Sequence, residues 1–299
     1  MVDSGDLAIC RACGTQFDVP LSSHPKACRI CDDPRQYIPV ATGQVWTSLN
    51  ELKKNGHKNI IKQDPVDERV VSIWTEPKVG IGQRCVLLET PHGNVLWDLI
   101  AFLDDDTINF IKSKGGLKAI VISHPHYYTT HLEWGSVFDC PVYIAADDQE
   151  WTNRKDTSNV RKQVFHGPVG TTETIVPGVT AIKAGGHFPG SLLLHWDKKL
   201  FIADTLVTMP SGLYHIDRPP GTISFTFMWS IPNMIPLPPS EIMGIWKSIK
   251  PFEFDTTFGA FFGVEVRSSE VKKRILDSMK IQTRAEGHAQ AEILEESYP

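Results

Sequence analysis

The 299-residue sequence predicts an α/β (α+β) protein preceded by a small cysteine-rich module, and three observations carry that expectation. Two Cys-x-x-Cys units stand near the amino end. Behind them, short apolar runs bounded by Gly, Pro, Asn and Asp alternate with segments of helical periodicity. Residues able to ligate a metal, His124, His126, His187 and Asp204, fall at or near the ends of several apolar runs.

The totals narrow the field. A hydrophobic content of 41% supplies a buried core, and no segment approaches the apolar length of a membrane span. A net charge of -5 without a long basic run argues against a nucleic-acid partner. The opening Met-Val-Asp-Ser-Gly-Asp-Leu lacks the charged and apolar regions of a secretory leader, so a reducing, cytoplasmic home is expected, with no membrane partner.

Residues 1–38 form the first module. Cys10 and Cys13, then Cys28 and Cys31, are separated by fourteen residues, a spacing at which each pair turns back to share one tetrahedral ion. Gly14 suits a knuckle that needs positive φ. Too few apolar residues surround the cysteines for a core, so a bound metal is expected to supply the missing free energy. A closed, structural zinc ribbon is the expectation; iron, as in rubredoxin knuckles, suits the same thiolates. Disulfides are disfavoured in a reducing compartment. Cys85 and Cys140 stand in apolar contexts and read as buried thiols.

The remaining elements follow in order. A helix is predicted around Thr47 to Asn55, stopped by Gly56. Arg84 to Glu89 reads as a strand, followed by a Thr-Pro-His-Gly-Asn turn into Val95 to Asp98. Asp104 or Asp105 caps a helix through Ile108, Phe110 and Ile111 that ends at Gly115-Gly116. Lys118 to Ser123 is a strand covered on both faces, delivering His124 at its carboxyl end, where open α/β sheets gather ligands. Thr130-x-x-Glu133 fits a capping box for a helix whose inner face holds Leu132, Trp134, Val137 and Phe138. Pro141 to Ala145 is another strand. Thr174 to Asp204 reads as strands over Val179 to Lys183, Leu192 to Trp196 and Leu200 to Ala203, with a glycine-rich loop between the first two. Ile223 to Pro238 is apolar but broken by Pro232 and Pro236, and reads as a loop or rim that either roofs a pocket or covers the core. Val271, Ile275 and Met279 mark a helix from Ser269 to about Thr283, capped by Ser268 or Ser269; the last dozen residues fray or form a polar helix.

Three imidazoles and a carboxylate define one chemistry. In an extended stretch residues two apart point to the same side, so His124 and His126 can bite one ion, with Pro125 stiffening the backbone between them. His187 lies among Gly185, Gly186 and Gly190, where the main chain can turn sharply. Asp204 can bind the metal, accept a proton from its water, or orient an imidazole. His24, His57 and His288 are expected to be solvated, His92 and His195 structural, and His166 and His215 have no assigned place.

These motifs together resemble the metallo-β-lactamase fold superfamily over roughly residues 70 to 265. The match rests on Ser-His-Pro-His after a buried strand, Gly-Gly-His-Phe-Pro-Gly-Ser, and Phe-Ile-Ala-Asp-Thr. The whole chain resembles a branch with a ribbon of the form Cys-x-x-Cys-Gly…Cys-x-Ile-Cys-Asp-Asp-x-Arg-Gln-Tyr, matched by Cys10 to Tyr37, and a segment like Ser230 to Pro238. The resemblance implies an αββα sandwich over residues 39–299 with metal at one edge. The superfamily motif runs His-x-His-x-Asp-His, and here Tyr128 and Thr129 replace its last two ligands. The late second-site histidine is also missing, which leaves a single catalytic metal, with His131 as a candidate substitute ligand or a helix-surface residue.

The expectation is therefore a zinc-dependent hydrolase in which a metal-bound hydroxide attacks a small carbonyl substrate: lactam, lactone, ester or thioester. Asp204 serves as ligand or proton acceptor, and Tyr128 or Tyr127 donates to the developing oxyanion or packs. The alternatives are a non-catalytic binding protein with a decayed site, and a dioxygenase holding iron by two histidines and Asp204.

Overall fold

Four consecutive buried positions, Leu7–Cys10 (β1), and a turn at Gly14 with φ of 83° fold the amino end into a hairpin with Gln16–Pro20 (β2). A one-turn helix, Arg29–Asp32 (α1), starts at Cys28. Trp46–Thr47 (β3) then pairs antiparallel with β1 to complete a three-stranded sheet. The structure, a computed structural model, describes residues 3–160, 163–213, 219 and 221–298. Its chain divides into two compact units, Met1–Phe165 and His166–Pro299.

The first unit also holds a seven-stranded sheet. Its strands are Lys58–Gln63 (β4), Val70–Glu76 (β5), Arg84–Leu88 (β6), Val95–Trp97 (β7), Ala119–Val121 (β8), Val142–Ala145 (β9) and Gln163–Phe165 (β10). They lie side by side in chain order, antiparallel from β4 to β7 and parallel from β7 to β10. All residues of β6 to β9 are buried, as apolar runs in a sheet covered on both faces require. β4 is one edge, and its exposed Lys58 and Lys62 suit a strand that must not pair further.

Three helices complete this unit: Leu49–Lys54 (α2), Asp105–Ser113 (α3) and His131–Phe138 (α4). Ser48 caps α2 through the Glu51 N–H, and Asp104 caps α3 through the Thr107 N–H at 2.9 Å. The capping box expected at α4 does not form. Thr130 precedes the helix, but its hydroxyl donates to the Ala101 carbonyl at 2.8 Å, and Glu133 is drawn away to Ser4 and Arg154. Val137 is 36% exposed and so faces outward.

The second unit is built on a six-stranded sheet. Its strands are Thr172–Val176 (β11), Val179–Lys183 (β12), Leu192–Trp196 (β13), Lys199–Phe201 (β14), Thr256–Phe258 (β19) and Val266–Arg267 (β20), in that spatial order. The segment between β14 and β19 is no plain loop. It forms two ribbons, Val207–Thr208 (β15) with Phe225–Thr226 (β16), and Met228–Ser230 (β17) with Ile235–Pro236 (β18). Phe225, Phe227 and Leu237 are buried, whereas Ile231, Met234 and Ile235 at the second ribbon's tip are exposed.

Helices Pro239–Ile249 (α5) and Val271–Ala285 (α6) bury Ile242, Ile245, Trp246, Ile275 and Met279 in one core with Ile182, Leu193 and Ile202. Glu270, not Ser268 or Ser269, is the residue before α6, while the Ser268 hydroxyl accepts the Glu270 N–H. The carboxyl tail is packed: Ile293 is fully buried and Glu296 accepts from Trp246 Nε1 at 2.9 Å. Among the described residues no helix is long and apolar enough to cross a membrane.

Candidate metal centres

The cysteines build the first centre. The Gly14 N–H donates to the Cys10 carbonyl at 2.7 Å, and the amides of Cys31 and Asp32 both reach the Cys28 carbonyl at 2.9 Å, so each pair sits on a tight knuckle. All four thiols are buried and free. Cys10 Sγ lies 3.7 Å from Cys31 Sγ, and Cys13 Sγ lies 3.7 Å from Cys28 Sγ. That spacing is far beyond a bridge of about 2.05 Å. It matches the edge of about 3.8 Å in a tetrahedron of sulfurs placed about 2.3 Å from a central zinc. The residues present therefore fit a four-thiolate ion.

The electrostatics agree. Hydrogen bonds from the thiols of Cys13, Cys28 and Cys31, with Gln44 Nε2 at 3.3 Å, push the Cys10 thiol well below its ordinary range, whereas burial pushes Cys13 up. The cysteines themselves make the core that the composition left short, together with Phe17 and Ile30, with Trp46 and Trp151 packed against them.

The histidine pair arises differently from the sequence expectation. His124 is extended (φ -166°, ψ 174°), but Pro125–Tyr127 forms a 3-10 turn, so convergence comes from a switch of backbone type rather than strand alternation. Pro125 is the cause, since its fixed φ favours the first helical position. The two rings lie 4.9 Å apart at 71°, and Tyr127 packs 5.0 Å from His124. His124 Nδ1 is hydrogen-bonded to Ser123 Oγ at 2.9 Å.

Asp98, which sequence reasoning did not assign to the site, fixes this corner. It follows β7 with φ of 56°, is 1% exposed, and accepts the Ser123 N–H at 2.7 Å. The parallel register of Trp97 with Val121 places the ends of β7 and β8 together. A strand-end Asp beside a strand-end His was the legible signal.

In the second unit, β12 runs into Gly185 (φ 67°) and Gly186 (φ 87°) before His187. A Cβ on Gly186 would stand 2.4 Å from Thr205 Oγ1, so only glycine fits. Thr205 Oγ1 accepts the His187 N–H at 3.0 Å and donates to the Gly185 carbonyl, which ties the glycine loop to the residue after Asp204. His187 Nδ1 donates to the Met228 carbonyl at 3.2 Å, which leaves the Nε2 lone pair for a ligand. Asp204 Oδ2 stands 3.9 Å from His187 Nε2.

Among the described residues two groups could hold a metal ion: Cys10, Cys13, Cys28 and Cys31, and His124, His126, His187 and Asp204. Within each group the ligand atoms lie within 4.8 Å of one another, and every residue is buried. Three imidazoles with a carboxylate are a donor set that zinc accepts. His131 lies outside the group, and its Nδ1 donates to the Tyr128 carbonyl at 2.8 Å. The Tyr128 hydroxyl donates to the Asp148 carbonyl at 3.4 Å, and both Tyr127 and Tyr128 are buried.

Of the other histidines, His24, His92, His166 and His288 are exposed. His57 is half-buried rather than solvated, bonded through Nδ1 to the Leu52 carbonyl at 3.1 Å, and burial lowers its pKa. His195 Nε2 donates to the Glu253 carbonyl at 2.9 Å. His215 lies outside the described residues.

The mixed α/β fold is that of the metallo-β-lactamases. FIM-1 from Pseudomonas aeruginosa, in its mono-zinc form, superposes with a TM-score of 0.53 at 12% identity, covering 75% of this chain and 96% of that one. DIM-1 superposes with a TM-score of 0.51 at 14% identity, covering 75% and 97%. No protein-family model matches the chain. It belongs to the family of YmaE, an uncharacterized protein of Bacillus subtilis (strain 168), to which it is 39% identical over 254 residues, 85% of this chain and 88% of that one.

Proposed function

We propose that the chain is a metal-dependent hydrolase of small carbonyl compounds, a lactam, lactone, ester or thioester, with one zinc in the histidine group and a structural zinc in the cysteine group. The grouping of His124, His126, His187 and Asp204 carries this reading. The fold, shared with FIM-1 in a mono-zinc form, supports a single ion there. In this reading residues 1–38 are the ribbon module and 39–299 the catalytic domain. Six free thiols support a reducing cytoplasm as its home.

Zinc bound there would supply an acidified water at neutral pH and a Lewis acid for the carbonyl. The side chains do the rest. The Met228 carbonyl fixes the His187 tautomer, and Ser123 with Asp98 steadies His124. Asp204 takes a proton at its carboxylate and passes it toward the leaving group. Tyr128 exchanges its long bond to Asp148 for the oxyanion that develops on the substrate. Exposed Ile231, Met234 and Ile235, on the ribbon that begins at Met228, favour a substrate with a non-polar substituent.

Metal analysis of the full chain, with a screen of lactams, lactones and thioesters, tests the reading. Two metals per chain are expected: Cys10→Ser with Cys13→Ser loses one, and His124→Ala with His187→Ala loses the other together with hydrolysis. A single metal confined to the cysteines would make this a binding protein. Iron with oxygen-dependent turnover would make it a dioxygenase.

A further inference from the structure

We propose that the cysteine module is the positioning element of the histidine loop, docked on Thr129 and linked through residues 146–151 to Tyr128, the two residues that depart from the superfamily motif. The inference rests on the reading that both groups bind metal, and it lies wholly within the first unit. Thr129 is β-branched yet holds φ of 33°, a conformation such residues rarely keep without outside support.

The support comes from the module. The Gln16 N–H donates to the Thr129 carbonyl at 3.2 Å, and the Thr129 hydroxyl donates to the Ile100 carbonyl at 3.3 Å. Gly14 approaches so closely that a Cβ there would stand 3.1 Å from Ala101 Cβ and 3.5 Å from Thr129 Cγ2. The knuckle that carries Cys13 is thus pressed against the loop that carries His126.

A second clasp holds the helix that follows. Arg154 Nη1 donates to Gln16 Oε1 at 2.7 Å and to Glu133 Oε1 at 2.5 Å, and its Nε donates to Asp18 Oδ1 at 3.3 Å. The Ser4 hydroxyl donates to Glu133 Oε2 at 2.8 Å. Glu133 lies in the first turn of α4, which begins at His131.

The third route reaches Tyr128. Arg29 and Arg35, flanking Cys31, place their guanidiniums 5.2 Å and 5.3 Å from the Trp151 ring. Arg35 is held in place by a paired contact with Asp33 at 2.7 and 2.9 Å. Trp151 ends the 3-10 helix Ala146–Trp151, whose Asp148 carbonyl receives the Tyr128 hydroxyl. Of the positions that would hold second-metal ligands in the superfamily motif, Thr129 meets the module directly and Tyr128 through Asp148 and Trp151. Gln16, Arg154 and Trp151 are accordingly positioning residues for the histidines.

The test uses the full chain, with zinc as the probe. Zinc affinity of the histidine group is read by chelator competition, and hydrogen exchange is read over residues 124–134. Cys10→Ser with Cys13→Ser is expected to lower that affinity at least tenfold and to lose protection over 127–134, while β5 and β6 stay protected. Arg154→Met, which leaves every ligand in place, is expected to shift both readouts the same way by a smaller factor and to retain the cysteine-group ion. If the cysteine variant loses protection throughout the unit, Arg154→Met decides alone. Unchanged exchange over 127–134 in Arg154→Met and in a folded cysteine variant would overturn the proposal. A wild-type histidine group that binds no zinc would sink the hydrolase reading, and the exchange measurement would still decide the docking.

Discussion

Gly186 shows how one missing side chain sets a ligand. Its φ of 87° and the 2.4 Å clearance to Thr205 Oγ1 leave no room for a methyl group. Thr205 cannot retreat without dropping its bonds to the His187 amide and the Gly185 carbonyl. Gly186→Ala is therefore expected to weaken zinc at the histidine group at least tenfold and leave the cysteine-group ion in place. Equal affinities in a chelator competition would show that the loop relaxes freely. Asp98 acts at the same scale within the first unit, and its role came from register rather than from any motif. A carboxylate at the end of β7 that binds a backbone N–H at the end of the neighbouring β8 is legible only as a strand-end Asp paired with a strand-end His.

At the scale of elements, the strongest periodic signals survived and the weakest were lost. β6 to β9 are apolar runs between turn residues, and they were readable as such. β4 was missed because an edge strand with Lys58 and Lys62 lacks clean alternation. α5 had a signal that went unread: Pro239 at its first turn and Ile242, Ile245, Trp246 and Ile249 on one face. The sequence paired His124 and His126 through an extended chain, whereas Pro125–Tyr127 forms a 3-10 turn. α3 offers a direct check. Asp104 caps Thr107 and also accepts the Asn59 N–H of β4 at 2.7 Å. Asp104→Ala should cost about 1–2 kcal/mol in urea unfolding, and an unchanged midpoint would show that water replaces both bonds.

For the whole molecule, thiol chemistry reports the architecture. Burial pushes Cys140 up to about 12 and raises Cys85 as well, so both stay protonated thiols at pH 8. The other four are held in the cysteine group. Iodoacetamide at pH 8 should label no cysteine in the metal-loaded native chain, four after chelation, and six after unfolding. Fast native labelling of Cys140 would contradict the burial of β9's flank, and four labelled without chelation would mean the thiols hold no ion. Much of this plan was visible in residue spacing, because metal ligation demands particular side chains at particular separations. The long-range clasp of Arg154 on Gln16 and Asp18 was not, since nothing in a linear spacing joins side chains more than a hundred residues apart.

The group that holds the His187 imidazole through Nδ1 is a main-chain oxygen, that of Met228. No substitution can delete it. Ile231, Met234 and Ile235 on the same ribbon are thus free to change in bulk and polarity while the imidazole keeps its tautomer. In the proposed hydrolase, selectivity could then drift without the histidine group having to be rebuilt each time.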